Sequence, residues 1–351
     1  MSSLLEQLAR AGAFRPALRL DELAAVHIPF HELGFDAHPE RMIADGIAQH
    51  TGITLLVGEG GNGKSSLLAY VADRLAGTAS EDGRRYLPLF VPVATRGQDA
   101  AQLETFGRMA IGSLLAGFDD LSEEQEQAFR AVTAEAISRE APSRTFNASV
   151  AAKVFGAGVE GGVASKGEVI TVVTSAAVPD DFGGLTTLAH TLRGRDRELV
   201  VLIEDTDGWT LQDGDDGRTL AREFFGRVLA PLATADLSIV IAVQTHWTTQ
   251  VEEFTALNER AVKRVTLPTF GDEERAEATV RRVIGGRIEW KLGGARNAAD
   301  VVTDAAVAAL AEHLRQTGSI RSVLTLVRDT LDRLETSFPE RIGTAHLAES
   351  A

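Results

Sequence analysis

The stretch GEGGNGKSS, Gly58 to Ser66, constrains this chain more than any other part of it. Immediately before it, ITLLV (Ile53 to Val57) is a short, continuous apolar run rich in β-branched residues, the pattern of a strand covered on both faces of a parallel sheet. Immediately after it, KSSLLAYVADRL (Lys64 to Leu75) sets Leu67, Leu68, Val71 and Leu75 on one helical face. A glycine-rich turn is thus placed between the end of a buried strand and the start of an amphipathic helix, which commits the chain to an α/β architecture.

Gly58, Gly63, Lys64 and Ser65 fit G-x-x-x-x-G-K-[ST] without a mismatch. The glycines let the backbone bend and present successive N–H groups to phosphate oxygens. The helix that starts here turns its positive end to the same anion. Lys64 has the reach for the β- and γ-phosphates, and the Ser65 hydroxyl can ligate the Mg²⁺ that bridges them. Lysine occurs at only five positions, Lys64, Lys153, Lys166, Lys263 and Lys291, so its place in the pattern is the more telling. The candidate site for ATP and Mg²⁺ is therefore Gly58, Glu59, Gly60, Gly61, Asn62, Gly63, Lys64, Ser65 and Ser66.

A Mg²⁺–phosphate site also needs a strand-end carboxylate and a group that orients the attacking water. ELVVLIED (Glu198 to Asp205) is a buried-strand pattern ending in two acids, Glu204 and Asp205, at the carboxyl end where open α/β sheets bind ligands. Both are candidate metal ligands, Glu204 at the metal and Asp205 at the water, with Asp207 a further carboxylate nearby. LSIVIAVQTHW (Leu237 to Trp247) is another buried strand, and Gln244 or Thr245 at its polar end can help orient that water.

The remaining chain reads as follows. RRYLPLFVPVA (Arg84 to Ala94) is a strand with a proline-marked end, followed by helical stretches over 101–118 and 122–140. Residues 141–181 turn to Pro, Gly and Ser and then to the alternating GEVITVVTSAA, an inserted hairpin or arm. Helices are expected over 185–192 and 219–232, and VKRVTLPTF (Val262 to Phe270) reads as a further strand. From Gly271 onward DEERAEATVRRVI, DAAVAALAEHLRQT and SIRSVLTLVRDTLDRLE have helical periodicity. The formal charge of −15 argues against a surface that is one continuous nucleic-acid cradle. The absence of cysteine excludes disulfides, thiolate metal sites and cysteine nucleophiles. The N-terminus reads as a short amphipathic helix rather than a signal peptide, and no run has the apolar length of a membrane span, so a cytoplasmic protein without membrane partners is expected.

With strand, phosphate loop, helix, acid-ended strand, polar-ended strand and C-terminal helices in this order, residues 38–336 resemble the AAA+ ATPases, and among them the initiator-type and transposition-regulator members. Gly58 to Ser65 is similar to Walker A, and Leu199 to Asp205 to Walker B with its acids in Glu–Asp rather than the usual Asp–Glu order. Gln244 and Thr245 fall at sensor 1. GSIRSVLTLV (Gly318 to Val327) is similar to the sensor-2 helix, with Arg321 reaching the γ-phosphate. LNERAVKRV (Leu257 to Val265) lies where the family carries the arginine finger given to a neighbouring subunit, with Arg260 the first choice and Arg264 the second. The resemblance implies a parallel P-loop NTPase sheet flanked by helices, a C-terminal all-helical lid, and ring or filament assembly. It divides the chain into a helical extension (1–37), an ATPase core (38–270), a lid (271–340) and a tail (341–351).

The stretch between Lys64 and Glu204 is longer than such a core needs, and the added arm is by analogy where partner specificity resides. No winged helix, repeat array or effector domain is recognisable after Glu335, so the partner is expected on another polypeptide, as effector or client, with DNA open as a partner. The leading expectation is an oligomeric ATPase that remodels or recruits a partner. The alternative is an ATP-dependent switch with little hydrolysis, working with a separately encoded effector, as in a bacterial defence or mobile-element system. A small-molecule kinase would use the same loop, but no acceptor-pocket motif accompanies it.

Overall fold

The computed structural model describes residues 3–16, 18–49, 52–76, 78, 83–92, 189, 193, 196–204, 224, 237–248, 263–294, 297–334 and 338–348. The expected helices over 101–140, 185–192 and 219–232 and the arm over 141–181 lie essentially outside these residues. Five strands, β1 (Ile53–Val57), β2 (Arg85–Pro92), β3 (Arg197–Glu204), β4 (Ser238–Val243) and β5 (Lys263–Thr266), form one parallel sheet flanked by helices, in the order β2-β3-β4-β1-β5. The continuous apolar runs behave as expected for parallel strands: every residue of β1 and β4 is buried, and so are Glu198 to Ile203 of β3. β2 carries Pro88 and Pro92, which donate no ladder hydrogen bond, and it accordingly lies at the edge of the sheet.

The described helices are α1 (Leu4–Ala11), α2 (Leu20–Ala25), α3 (Pro39–Ala48), α4 (Lys64–Ala76), α5 (Glu273–Leu292), α6 (Asp304–Thr317), α7 (Ile320–Arg333) and α8 (Thr344–Ala348), with a 3₁₀ turn at Phe30–Leu33. Among the described residues no helix is long and apolar enough to cross a membrane. The chain divides into two compact units, one of Met1–Ala44, Leu56–Asp73 and Val265–Ala351, the other of Asp45–Leu55 and Arg74–Arg264.

In the first unit the N-terminal helices, the glycine-rich loop and the C-terminal helices belong together. Leu5 and Leu8 of α1 are buried, and α1 packs against α5 and α7. Side-chain caps define the helix starts: Ser3 Oγ accepts from Glu6 N, Asp272 from Arg275 N, Thr303 from Ala306 N and Ser319 from Ser322 N. α5 buries Ala276, Val280, Ile284 and Ile288, and α7 buries Val323, Leu324, Val327 and Leu331, one helical face in each case. Phe35 stands edge-on to Phe270 at 5.7 Å and tilted to Phe30 at 5.9 Å. A backbone bridge between Val302 and Ile342 secures α8 beside α6 and α7.

The second unit holds β2, β3, β4 and the first residues of β1. The register pairs Pro92 with Glu204 and Ile203 with Ile241. Glu204 and Gln244 therefore emerge at the same, carboxyl-terminal edge of the sheet. The strand expected over Leu237 to Trp247 ends early: β4 stops at Val243, and Thr245–Trp247 forms a 3₁₀ turn. At the opposite end of β3, the buried carboxylate of Glu198 is held by Arg193 (Nε 3.1 Å, Nη2 2.8 Å) and Arg84 (3.3 Å).

Candidate functional site: a glycine-rich loop capped by a helix

The loop leaves β1 at Gly58 and enters α4 at Lys64. Gly61 and Gly63 have φ of +78° and +101°, the left-handed region that residues with a Cβ avoid. Lys64 is only 5% exposed, and its Nζ donates to the Gly58 and Glu59 carbonyls, 2.8 Å each. Asn62 is also buried and lies over Gly58. In the orientation that satisfies both ends of its amide, Asn62 donates to Glu59 O (2.9 Å) and accepts from Glu59 N–H (3.2 Å). The loop is thus closed around an ammonium that donates to two of its own carbonyls. Charged phosphate oxygens are stronger acceptors for that ammonium, and bonds of this kind are roughly twice as strong as neutral ones. Ser65 is half-buried, and among the described residues its hydroxyl has no hydrogen-bond partner. The left-handed glycines, the enclosed ammonium and the serine at the first turn of α4 fit a nucleotide's phosphates with Mg²⁺. Among the described residues no group of three His, Asp or Glu forms a separate metal centre.

The start of α7 rests on this loop. Arg321 N–H donates to Gly61 O at 3.1 Å. A Cβ built at Gly61 would collide with Ser319 Oγ and lie 3.0 Å from Arg321 Cβ. The Arg321 side chain is exposed, and among the described residues its guanidinium has no hydrogen-bond or ion-pair partner. A cation in the first turn of a helix is disfavoured by the helix dipole, and α7 has no acid there to offset it. The helix that carries Arg321 thus gains nothing from its charge, which stands beside the glycine-rich loop.

The second serine differs from the expectation for a loop side chain facing phosphate. Ser66 Oγ donates to Leu23 O (3.1 Å) and meets His27 Nδ1 at 3.2 Å, which leaves its main-chain N–H as the group able to serve an anion. His27 Nε2 lies 3.0 Å from Glu40 Oε1, which also accepts Phe30 N–H at 2.9 Å. Burial pushes the Glu40 carboxyl up, but its bonds from His27 and the main chain outweigh this and hold it below the usual glutamate range. Sequence reading missed His27 and Glu40. Their spacings to each other and to Ser66 match no periodicity, and only the buried contact makes them a group.

In the second unit, Glu204 is half-buried at the end of β3, Gln244 is half-buried just past β4, and Thr245 is exposed in the 3₁₀ turn. β4 lies between β3 and β1 in the strand order. Arg264 is exposed on β5, an edge strand. Asp205 and Arg260 lie outside the described residues.

No protein-family model matches the chain, and no curated protein matches it. Among solved structures it is similar to the Orc1 protein of Aeropyrum pernix, solved in complex with DNA, at 17% identity and TM-score 0.48, covering 89% of this chain and 63% of that one. It is similar to a Walker-type ATPase of Pyrococcus abyssi at 14% identity and TM-score 0.43, covering 84% and 66%. It is also similar to Drosophila ORC bound to DNA, at 13% identity and TM-score 0.41, covering 98% and 71%. The chain spans under two thirds of the length of the Aeropyrum protein.

Proposed function

We propose that this chain binds ATP with Mg²⁺ in the loop Gly58 to Ser66, hydrolyses it at subunit interfaces of a homo-oligomer, and uses the cycle to remodel or recruit a partner, another chain or DNA. The observation that carries the reading is the closed loop itself, with Lys64 Nζ held 2.8 Å from two main-chain carbonyls and α7 docked on Gly61 through Arg321 N–H.

Lys64 leaves Gly58 O and Glu59 O for the β- and γ-phosphates. Ser65, Glu204 and Asp205 would hold the metal. The metal would supply neutralisation of the charge that develops on the phosphates. Asp205 accepts the proton of the attacking water, and Gln244 or Thr245 orients that water. Arg321 brings α7 and a positive charge to the γ-phosphate, so the contact at Gly61 O makes the start of α7 responsive to what the loop holds. Arg260, or failing it Arg264, completes a neighbour's site, which makes hydrolysis depend on assembly. Such a finger contributes about 10³- to 10⁵-fold in related chemistry.

The test is the solution mass of the full chain with MgATP, MgADP and no nucleotide, together with turnover as a function of protein concentration. A defined multiple that forms only with MgATP, and specific activity that rises with concentration, are expected. Lys64→Ala should abolish both. A monomer in every state, with flat specific activity, refutes interface-built catalysis. If Asp205→Asn leaves the lifetime of the assembly unchanged, hydrolysis has no resetting role.

A further inference from the structure

His27, Glu40 and Ser66 form a buried polar chain that the proposed hydrolysis does not use. The His27 side chain is 4% exposed, its ring is 4.7 Å from that of Tyr70 on α4, and its two nitrogens face Ser66 and Glu40. Proton accounting shows how tightly the three are joined. Ionised Glu40 can only accept, so His27 Nε2 carries a proton. Ser66 gives its own proton to Leu23 O, so its oxygen is free to accept from a protonated Nδ1. The imidazolium therefore satisfies every bond at once. With Nδ1 bare, Ser66 must turn its proton from Leu23 O to His27, and the group stays connected through the other bond.

Buried polar groups of this kind are costly where an apolar side chain would fill the space, and they specify one geometry when all members are satisfied. Here that geometry is set in the first turn of α4. Ser66 directly follows Lys64 and Ser65. The other ends of the chain reach Leu23 O and Phe30 N–H, so side-chain hydrogen bonds tie residues 23–40 to the loop.

We propose that His27, held by Glu40, is a positioning residue of the phosphate loop: through Ser66 it fixes the first turn of α4 so that Lys64 and Ser65 meet the nucleotide's phosphates. This rests on the nucleotide-binding reading above. His27 touches no phosphate. It acts through Ser66, and the affinity of the loop depends on the N-terminal segment lying in place. Displacements of well under an ångström in such a shell are enough to weaken a site.

The experiment is calorimetric titration of the full chain with MgATP and MgADP, with melting temperatures recorded beside it. The variants are His27→Ala, His27→Asn, His27→Gln, Ser66→Ala, the double variant His27→Ala/Ser66→Ala, and Lys64→Ala. Asparagine can place a donor where Nδ1 stood and keep the bond to Ser66; glutamine can keep only the bond to Glu40. His27→Ala is expected to weaken MgATP about tenfold, which is about 1.4 kcal/mol. His27→Asn should recover to within about threefold of the native chain while His27→Gln does not, a difference within the net worth of one hydrogen bond. The loss in His27→Ala should largely vanish in the Ser66→Ala background, because the two residues act as one unit. Native affinity in every His27 variant, with Lys64→Ala unable to bind, overturns the positioning role alone. So does an affinity loss that follows melting temperature and is rescued equally by Asn and Gln. A native chain that does not bind MgATP, or a Lys64→Ala variant that binds it as well as the native chain, overturns the nucleotide reading and this inference with it.

Discussion

Gly61→Ala tests whether the helix start on the loop is a real coupling. Two independent features oppose an alanine there. The φ of +78° is left-handed, which costs an L-residue about 1–2 kcal/mol. The new Cβ would also run into Ser319 Oγ and sit 3.0 Å from Arg321 Cβ. Ser319 Oγ is not free to retreat, because it caps α7 by accepting from Ser322 N at 3.1 Å. The least costly escape is for the start of α7 to lift off the loop and give up the bond from Arg321 N–H to Gly61 O, worth about 1 kcal/mol net. That bond is lost on opening in the native chain as well, so the change comes from relief of the collision, about 2 kcal/mol for overpacking of this kind, or roughly 30-fold in the opening equilibrium.

Amide hydrogen exchange at Arg321 reads this shift directly. Arg321 is in the first turn of α7, where N–H groups have no partner within the helix, so Gly61 O is the acceptor that protects it. Exchange at Arg321 should quicken roughly 30-fold in Gly61→Ala. Gly34→Ala is the matched control. Its φ is +81°, but the space its Cβ would enter holds nothing within 4 Å. It should show the backbone strain in global stability and leave Arg321 protection as it was. If Arg321 exchanges at the same rate in Gly61→Ala as in the native chain, the helix is not held by the loop, and the assignment of Arg321 as a nucleotide-sensing residue loses its structural basis.

Three further outcomes follow from the buried charges. Glu198→Gln should destabilise the second unit by about 3 kcal/mol in chemical denaturation, because it leaves Arg84 and Arg193 facing an uncharged partner in a site where the carboxylate is 1% exposed. A change below about 0.5 kcal/mol, the range of an ordinary surface substitution, would refute this. Glu40 has a lowered pKa in the folded chain, so it lends stability that is complete above about pH 4.3, the unfolded glutamate value, and is lost as pH falls through the lower folded value. Denaturation midpoints of the native chain and of Glu40→Gln should therefore converge as the solution is acidified through that window. Arg287 on α5 is buried, and burial outweighs the opposing charge of Glu22 to lower its pKa to about 10. Between that value and the higher unfolded one the unfolded chain binds more protons, so this group makes stability rise with pH there and costs stability at neutral pH. Arg287→Met, which keeps much of the buried side-chain volume without the charge, should unfold at the native midpoint or above it, whereas Arg287→Ala should unfold below it.

How much of this was legible in the chain divides along the range of the interactions. The strands were, because a strand covered on both faces must be apolar throughout, and ITLLV, LVVLI and SIVIAV can hardly be anything else in this order. The loop was, because its glycines, lysine and serine act within a few residues of one another. Helix length was less so. DEERAEATVRRVI marks only the first part of α5, which continues to Leu292 through Gly285 and Gly286. Two glycines read as a stop on propensity, yet Gly286 faces Ile28, whose Cδ1 would lie 3.5 Å from an added Cβ. That is ordinary contact, so glycine is not required there; burial of Ile284 and Ile288 on either side carries the helix past it. What could not be read is what supports the loop from outside the motif. Gly61 meets Arg321 and Ser66 meets His27 across long stretches of chain, and neither partnership leaves a spacing to find. The motif names the residues that would touch phosphate, but the affinity of such a loop is set by the rigidity of its supports. Those supports come from the two ends of the chain, α7 and the segment around His27, folded with the loop into one unit. A chain with the same nine-residue motif and different termini would therefore carry the same ligands for phosphate and a different affinity for it.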